Sequence, residues 1–155
     1  MYNLLSYLFP IFFLVLGIWF FLTGLMFIIF GIASQKWPTT EALITESDLK
    51  NGTTGIGTKA YWPIVKYNYQ IGDEKFIGKR IAFGKYGTKW NNTYKKEIAQ
   101  NISERYKIGQ STLVHYLPFW KNISVLEAGF SWGALGLFAI GFFWMFMGLY
   151  LLNLK

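Results

Sequence analysis

The segment Gly52-x4-Gly57-Thr58-Lys59 comes close to a phosphate-binding loop with its last two residues exchanged. A true loop needs Gly-Lys followed by Thr or Ser at the opening of a helix, so that backbone N–H groups and the helix terminus meet the phosphates. Strand-forming residues follow here instead, and a flexible hairpin loop accounts for the glycines better. Asp73 and Glu74 are adjacent carboxylates beside Gly72. Carboxylates do paired acid–base work when they converge across a cleft, whereas neighbours in a turn face water. His115 is the one histidine and lies between Val114 and Tyr116. A general base needs a nucleophile and an orienting group; no such constellation surrounds it, so a structural role is the plainer reading. The chain has no Cys, which removes thiolate chemistry and disulfides, and a single His removes His-cluster metal sites. No catalytic, cofactor-binding or metal-binding residue is expected, and the chain reads as a non-enzymatic protein.

Charge says more. Residues 36–127 carry 14 basic and 8 acidic side chains, and Lys79, Arg80, Lys85, Lys89, Lys95 and Lys96 supply the whole excess. No acid interrupts that run, and Phe83, Tyr86, Trp90 and Tyr94 interleave it. Such a mixture suits an anionic lipid headgroup, at about 1 kcal/mol per basic side chain near the surface, or an acidic protein surface. It also suits single-stranded nucleic acid, through stacking and phosphate contacts, although a membrane tether makes that the least natural partner. A solvated loop whose lysines aid solubility is the bland alternative. The candidate contact residues are Lys79, Arg80, Lys85, Tyr86, Lys89, Trp90, Lys95 and Lys96.

The elements that must position these residues begin with two apolar runs. Of the 155 residues, 53% are hydrophobic and 15% charged, too apolar a balance for an ordinary soluble domain. Residues 1–35 contain no charge, and 18 of residues 8–32 are Leu, Ile, Phe or Val. At roughly −0.4 kcal/mol each, insertion of this run is favoured by about 7 kcal/mol, and its length predicts a transmembrane helix. A signal peptide fits poorly, because no Lys or Arg precedes the run and the run is too long. Residues 130–152 form a second uncharged span. Trp37 and Trp132 fall at the inner ends of the spans and Tyr2, Tyr7 and Tyr150 at the outer ends, where amphipathic rings favour the interface. Pro10 is placed in the first turn of the first span, where proline is tolerated. The predicted organisation is a transmembrane helix over 1–35, a small β-rich polar domain over 36–128 and a second transmembrane helix over 129–155. The middle segment is marginal as a free-standing core, so the anchors help hold it.

Gly17, Gly24 and Gly31 recur every seven residues, as do Ala134, Gly141 and Gly148. Seven residues are two helical turns, so each set lines one face. Small residues let helix backbones approach closely in lipid. Counted from the domain-side ends, the two sets match level by level, which predicts an antiparallel helical hairpin; chance is the competing account. A weaker second strip, Gly129, Gly133 and Gly136, is a candidate contact with another protein.

In the polar domain, residues 41–46 are a strand candidate and residues 51–59 a loop or loose hairpin. Residues 61–71 (YWPIVKYNYQI) are the clearest strand, with Tyr61, Val65, Tyr67, Tyr69 and Ile71 on one face and Lys66, Asn68 and Gln70 on the other. Pro63 places its end at an edge or bulge. Residues 72–74 turn, and 75–83 return as the partner strand with Phe76 opposite the tyrosines. Residues 92–106 predict a helix capped by Asn92 or Thr93, with a stripe of Tyr94, Ile98, Ile102 and Tyr106. Residues 110–116 form another strand, and 124–127 lead back to the membrane. The fold class is membrane α+β: a two-helix transmembrane hairpin flanking a small antiparallel β-domain of three or four strands covered by one helix.

The ordered set Trp37-Pro38-Thr39 with Ala42 and Ile44, Tyr61-x-Pro63-x-Val65-x-Tyr67-x-Tyr69 with Gly72, then Phe76, Gly78 and Ile81, Tyr106-x-x-Gly109, Val114-x-Tyr116-x-Pro118 and Leu126-Glu127-x-Gly129 resembles an uncharacterised family of mostly bacterial membrane proteins. That family is a domain of unknown function, with one span on each side of a small β-domain. Phe119-Trp120 departs from its pattern, where Asn-Pro is more typical. The resemblance implies the architecture and no catalytic residue.

The expectation is an accessory or scaffold subunit in the inner or plasma membrane, in contact with lipids and other membrane-protein subunits. The tyrosine-rich sheet face and the basic-aromatic segment are its candidate contact surfaces. One rival is an organiser or sensor of anionic lipid acting through residues 79–96. Another is an enzyme on a lipid-soluble substrate, using His115 and a nearby carboxylate. Lys36, Lys50 and Lys121 near the spans lean toward a cytoplasmic domain by the positive-inside rule; a loop this long also translocates regardless of charge, which leaves the opposite orientation open.

Overall fold

The computed structural model describes residues 4–53, 57, 59–84, 96–130 and 132–154. Leu4–Ser34 is a single helix, α1. Because it begins at Leu4, Pro10 lies inside it and not in its first turn, buried against the last helix. Trp132–Asn153 is that last helix, α3. Tyr7–Ser34, 28 residues, and Trp132–Asn153, 22 residues, are long and apolar enough to cross a membrane. At ~1.5 Å per residue they reach about 42 and 33 Å, against a hydrocarbon core of ~30 Å.

The domain between them is a five-stranded antiparallel sheet. Its strands are β1 (Thr39–Thr53), β2 (Lys59–Ile71), β3 (Glu74–Gly78), β4 (Ser111–Leu117) and β5 (Trp120–Val125), in the order β3-β2-β1-β4-β5. The helix α2 (Lys96–Arg105) covers part of its inner face. The central strand β1 therefore leaves α1 directly, with four residues between Ser34 and Thr39. It runs well past the expected residues 41–46. Its pairing with β2 continues through Lys50–Trp62 and Gly52–Ala60 to Thr53–Lys59, across a bulge between Ile44 and Glu46. Of the two readings of residues 51–59, loop or loose hairpin, the pairing bears out the hairpin, because a cross-strand partner outweighs the local preference of Gly and Thr. Gly52 leaves room for the Trp62 ring, which a Cβ would meet at 2.8 Å.

Val65, Tyr67 and Tyr69 are buried on the inner face of β2, and Tyr69 pairs with Phe76, as the alternation predicts. β3 pairs only with residues 67–71, so Pro63 has β1 alone as a neighbouring strand among the described residues. Gly72 makes the β2–β3 turn with φ +62°, the left-handed region that glycine adopts freely. β3 stops at Gly78, short of residue 83. The chain then turns to meet residues 126 and 127, with Leu126 N donating to Arg80 O (3.3 Å) and Glu127 N to Ile81 O (2.7 Å).

On α2 the buried side chains are Ala99 and Ile102, followed by Tyr106, while Ile98 is exposed. The stripe therefore steps three and four residues, as a helix face does. Residues 92–95, including the proposed caps and Tyr94, lie outside the described residues. β5 replaces the expected simple return, since Pro118-Phe119 closes a tight hairpin in which Trp120 pairs with Leu117. The sheet's edges curl together. Tyr69 Oη donates to Lys121 O on β5 (2.5 Å), and Lys121 Nζ pairs with Glu74 on β3 (2.8 Å).

Two apolar clusters follow. The main one holds Ala42, Ile44, Val65, Tyr67, Tyr69, Ile81, Ile102, Tyr106, Val114 and Leu126. The second joins domain to helix. Trp37, Phe83 and Val125 pack with Phe27, Phe30, Leu117 and Ile123. Trp37 is thus buried in a joint, with its ring centroid 5.7 Å from Phe83, instead of standing exposed; Trp132 is the exposed one.

Candidate functional site

The two helices lie together along the glycine seam. A Cβ on Gly24 would come within 2.5 Å of the Phe138 backbone nitrogen, and one on Gly141 within 2.2 Å of that of Phe21. Gly17 faces Met145, Gly31 faces Gly129, and Gly148 faces Leu14 and Pro10. Ala134 is buried, with its Cβ beside Gly84. The two sets are staggered and do not meet level by level. Gly31 meets Gly129 and not Ala134, and Gly24 meets Phe138 and not Gly141, so the register is offset by a few residues. Each glycine then receives a bulky side chain or a bare backbone from the other helix. Phe21 and Phe138 (centroids 4.5 Å apart) and Phe13 stacked on Trp144 (4.8 Å) complete the contact. A Cβ on Gly136 would meet open space.

The domain-side end of the hairpin is clasped. Gly129 N donates to Gly31 O (3.1 Å) and to Ser34 Oγ (3.1 Å), while the buried Ser34 hydroxyl donates to Gly31 O (2.7 Å). Gly129 has φ +118°, so the return into α3 requires glycine.

The tyrosine-rich face does not form a contact surface. Tyr67 and Tyr69 are buried because α2, residues 80–83 and β5 close over them. Tyr67 Oη donates to Arg80 O (2.9 Å) and lies 3.1 Å from Ser124 Oγ. Burial pushes the Tyr67 hydroxyl far above the usual tyrosine range. Tyr106 is raised too, first by burial and then by Glu127, whose Oε1 accepts from Tyr106 Oη (3.1 Å) and from Arg105 (2.9 Å).

The opposite sheet face is open. Cross-strand register aligns Ile77, Asn68, Leu43 and Ser111 in one row, and beside it pairs Lys75 with Gln70 and Glu41 with Leu113. Ile77 is 65% exposed, Leu113 58% and Leu43 48%. A shallow cavity of about 590 Å³ lies along these rows. Alternation along β1 and β3 predicts which residues face outward; that no helix among the described residues covers them is visible only in three dimensions.

Of the basic-aromatic segment, Lys79 and Arg80 follow β3 and Lys96 opens α2; both lysines are exposed. Lys85, Tyr86, Lys89, Trp90 and Lys95 lie outside the described residues. The Arg80 guanidinium sits 4.8 Å over the Phe83 ring. It lines a recess of about 100 Å³ with Met26, Phe27, Phe30 and Ile123. Gly52 lies in β1 and Lys59 opens strand β2, not a helix; residues 54–56 and 58 lie outside the described residues. Asp73 sits in the β2–β3 turn, while Glu74 is in β3 and paired with Lys121. His115 pairs with Thr39 and Val125 in its neighbouring strands, and its Nδ1 is enclosed with no hydrogen-bond partner among the described residues. No group of three His, Asp or Glu side chains gathers among the described residues.

The family model described as Domain of unknown function (DUF3592) matches residues 40–131, more than half of the chain. The chain belongs to this family. The DUF3592 match runs from the second residue of β1 to the threshold of α3, so it takes in all of the sheet but Thr39, with α2 and Gly129. No curated protein matches the chain.

Proposed function

We propose that this DUF3592 protein is a non-enzymatic accessory subunit, held in a membrane by α1 and α3, whose open sheet face docks another subunit. The observation that supports this is the exposure of Leu43, Ile77 and Leu113 on one face of a well-packed sheet. Scattered exposed apolar residues are ordinary. These three share one surface, and Glu41, Asn68, Gln70 and Lys75 frame them as polar groups frame the apolar centre of an interface. Both charge signs are present in the frame, which suits a protein partner better than a uniformly anionic surface.

The test is purification of the full-length protein from its native membrane in mild detergent, beside an Ile77→Glu/Leu43→Glu variant. A partner recovered in fixed stoichiometry with the parent and lost from the folded variant supports the reading. A partner that stays with the variant, or a parent that elutes alone, overturns it. A lone protein carrying acidic phospholipid instead favours lipid organisation through residues 79–96, the reading that Arg80 over Phe83 supports.

A further inference from the structure

The β4–β5 turn presents the most exposed large apolar side chain among the described residues. Phe119 is 91% exposed, and the adjoining Trp120 is 63% exposed. The turn is short and rigidly placed. Pro118 precedes Phe119, Leu117 pairs with Trp120, and the preceding Tyr116 N donates to Pro38 O (3.1 Å), just beyond the end of α1. Leu117 itself packs into the joint with Trp37 and Phe83 against Phe27 and Phe30. Two further residues carry the chain at most about 7 Å, so the two rings stay beside that joint.

The level of the joint follows from the helices. The Gly24–Phe138 and Gly31–Gly129 contacts bracket Phe27 and Phe30 at the first turns of α3, where Trp132 begins the helix. α3 alone, at about 33 Å, already matches the hydrocarbon thickness, so the last turn of α1, which runs past the start of α3 to Ser34, stands among headgroups. Aromatic rings favour that layer. Arg80, on the same joint through Phe83, brings a cation to phosphate level.

We infer that Pro118-Phe119-Trp120 is a third membrane contact, with its two rings seated in the lipid headgroup layer beside α1 and fixing the tilt of the domain. The contact is separate from the docking face, whose β4 residues Ser111 and Leu113 lie toward the other end of that strand.

The chain has no cysteine, so single-cysteine variants label cleanly. Full-length Phe119→Cys, Trp120→Cys, Trp132→Cys and Ile108→Cys would each carry an environment-sensitive fluorophore. All would be reconstituted in phosphatidylcholine–phosphatidylglycerol nanodiscs with and without spin-labelled lipid. Ile108 is 66% exposed and lies near the opposite end of β4, so it is the water reference. Labels at 119 and 120 should be quenched by the lipid as strongly as the label at 132, with blue-shifted emission. Quenching no greater than at 108 would overturn the inference. So would labels shielded from aqueous iodide yet untouched by the lipid quencher, since a protein would then be covering them.

Discussion

At the scale of single residues, Tyr67 decides most. Its ring fills the space left by Gly78, where a Cβ would lie 2.0 Å away, and its hydroxyl ties residue 80 to residue 124. The alternation of β2 predicts that this ring is buried. It does not predict the hydroxyl's partners, which lie 13 and 57 positions away in sequence. Because folding raises its pKa above the ordinary 10.0, the stability it contributes is fully present below pH 10. Above that pH the unfolded chain loses the proton first, and stability falls as pH rises toward the folded value. The melting temperature should therefore be level through neutral pH and drop above about pH 10. Tyr67→Phe should flatten part of that drop while costing about 1 kcal/mol at neutral pH for the lost hydrogen bonds. Tyr69 and Tyr106 retain part of the slope, since burial raises their pKa values as well. Thermal melts of both proteins from pH 7 to 11 would check this, and identical slopes would remove Tyr67 from the account.

At the scale of elements, the hairpin of α1 and α3 is the clearest case of sequence pattern meeting geometry. The seven-residue recurrence marks the packed faces, yet the register depends on where the chain re-enters α3, and the Gly31–Gly129 contact sets that. Gly141→Leu would drive a side chain into the Phe21 backbone, which cannot move aside as a side-chain tip can. Cysteines substituted for Phe21 and Phe138 should cross-link readily in the parent and poorly with Gly141→Leu. They should be unaffected by Gly136→Leu, which enters open space. Undiminished cross-linking with Gly141→Leu would show that the seam tolerates bulk. Strands were legible where apolar and polar residues alternate, as in β2 and β4. β5 was not, because its six residues (WKNISV) follow a proline and owe their conformation to β4. The second half of β1 was only partly legible for the same reason, its composition being that of a loop as much as of a hairpin.

At the scale of the whole molecule, two long apolar helices on either side of a small sheet were plain from charge and hydropathy alone. The joint between them was not. A tryptophan next to a span suggests an interfacial ring, and only the fold of residues 79–84 back over Trp37 turns it into core. The open face holding Leu43, Ile77 and Leu113 belongs to this scale too, because its exposure depends on which side α2 covers.

The clasp between Ser34 and Gly129 joins positions 95 apart in the chain. For as long as α1 and α3 stay packed, everything between those positions is a closed ring, folded or not. Closing a ring of that size withdraws about 4–5 kcal/mol of conformational freedom from the disordered state in the chain-entropy picture. That is comparable to the entire margin of a small domain. The helical hairpin thus acts on the sheet as a cross-link would, and a chain without Cys obtains by helix packing what secreted domains of this size take from a disulfide.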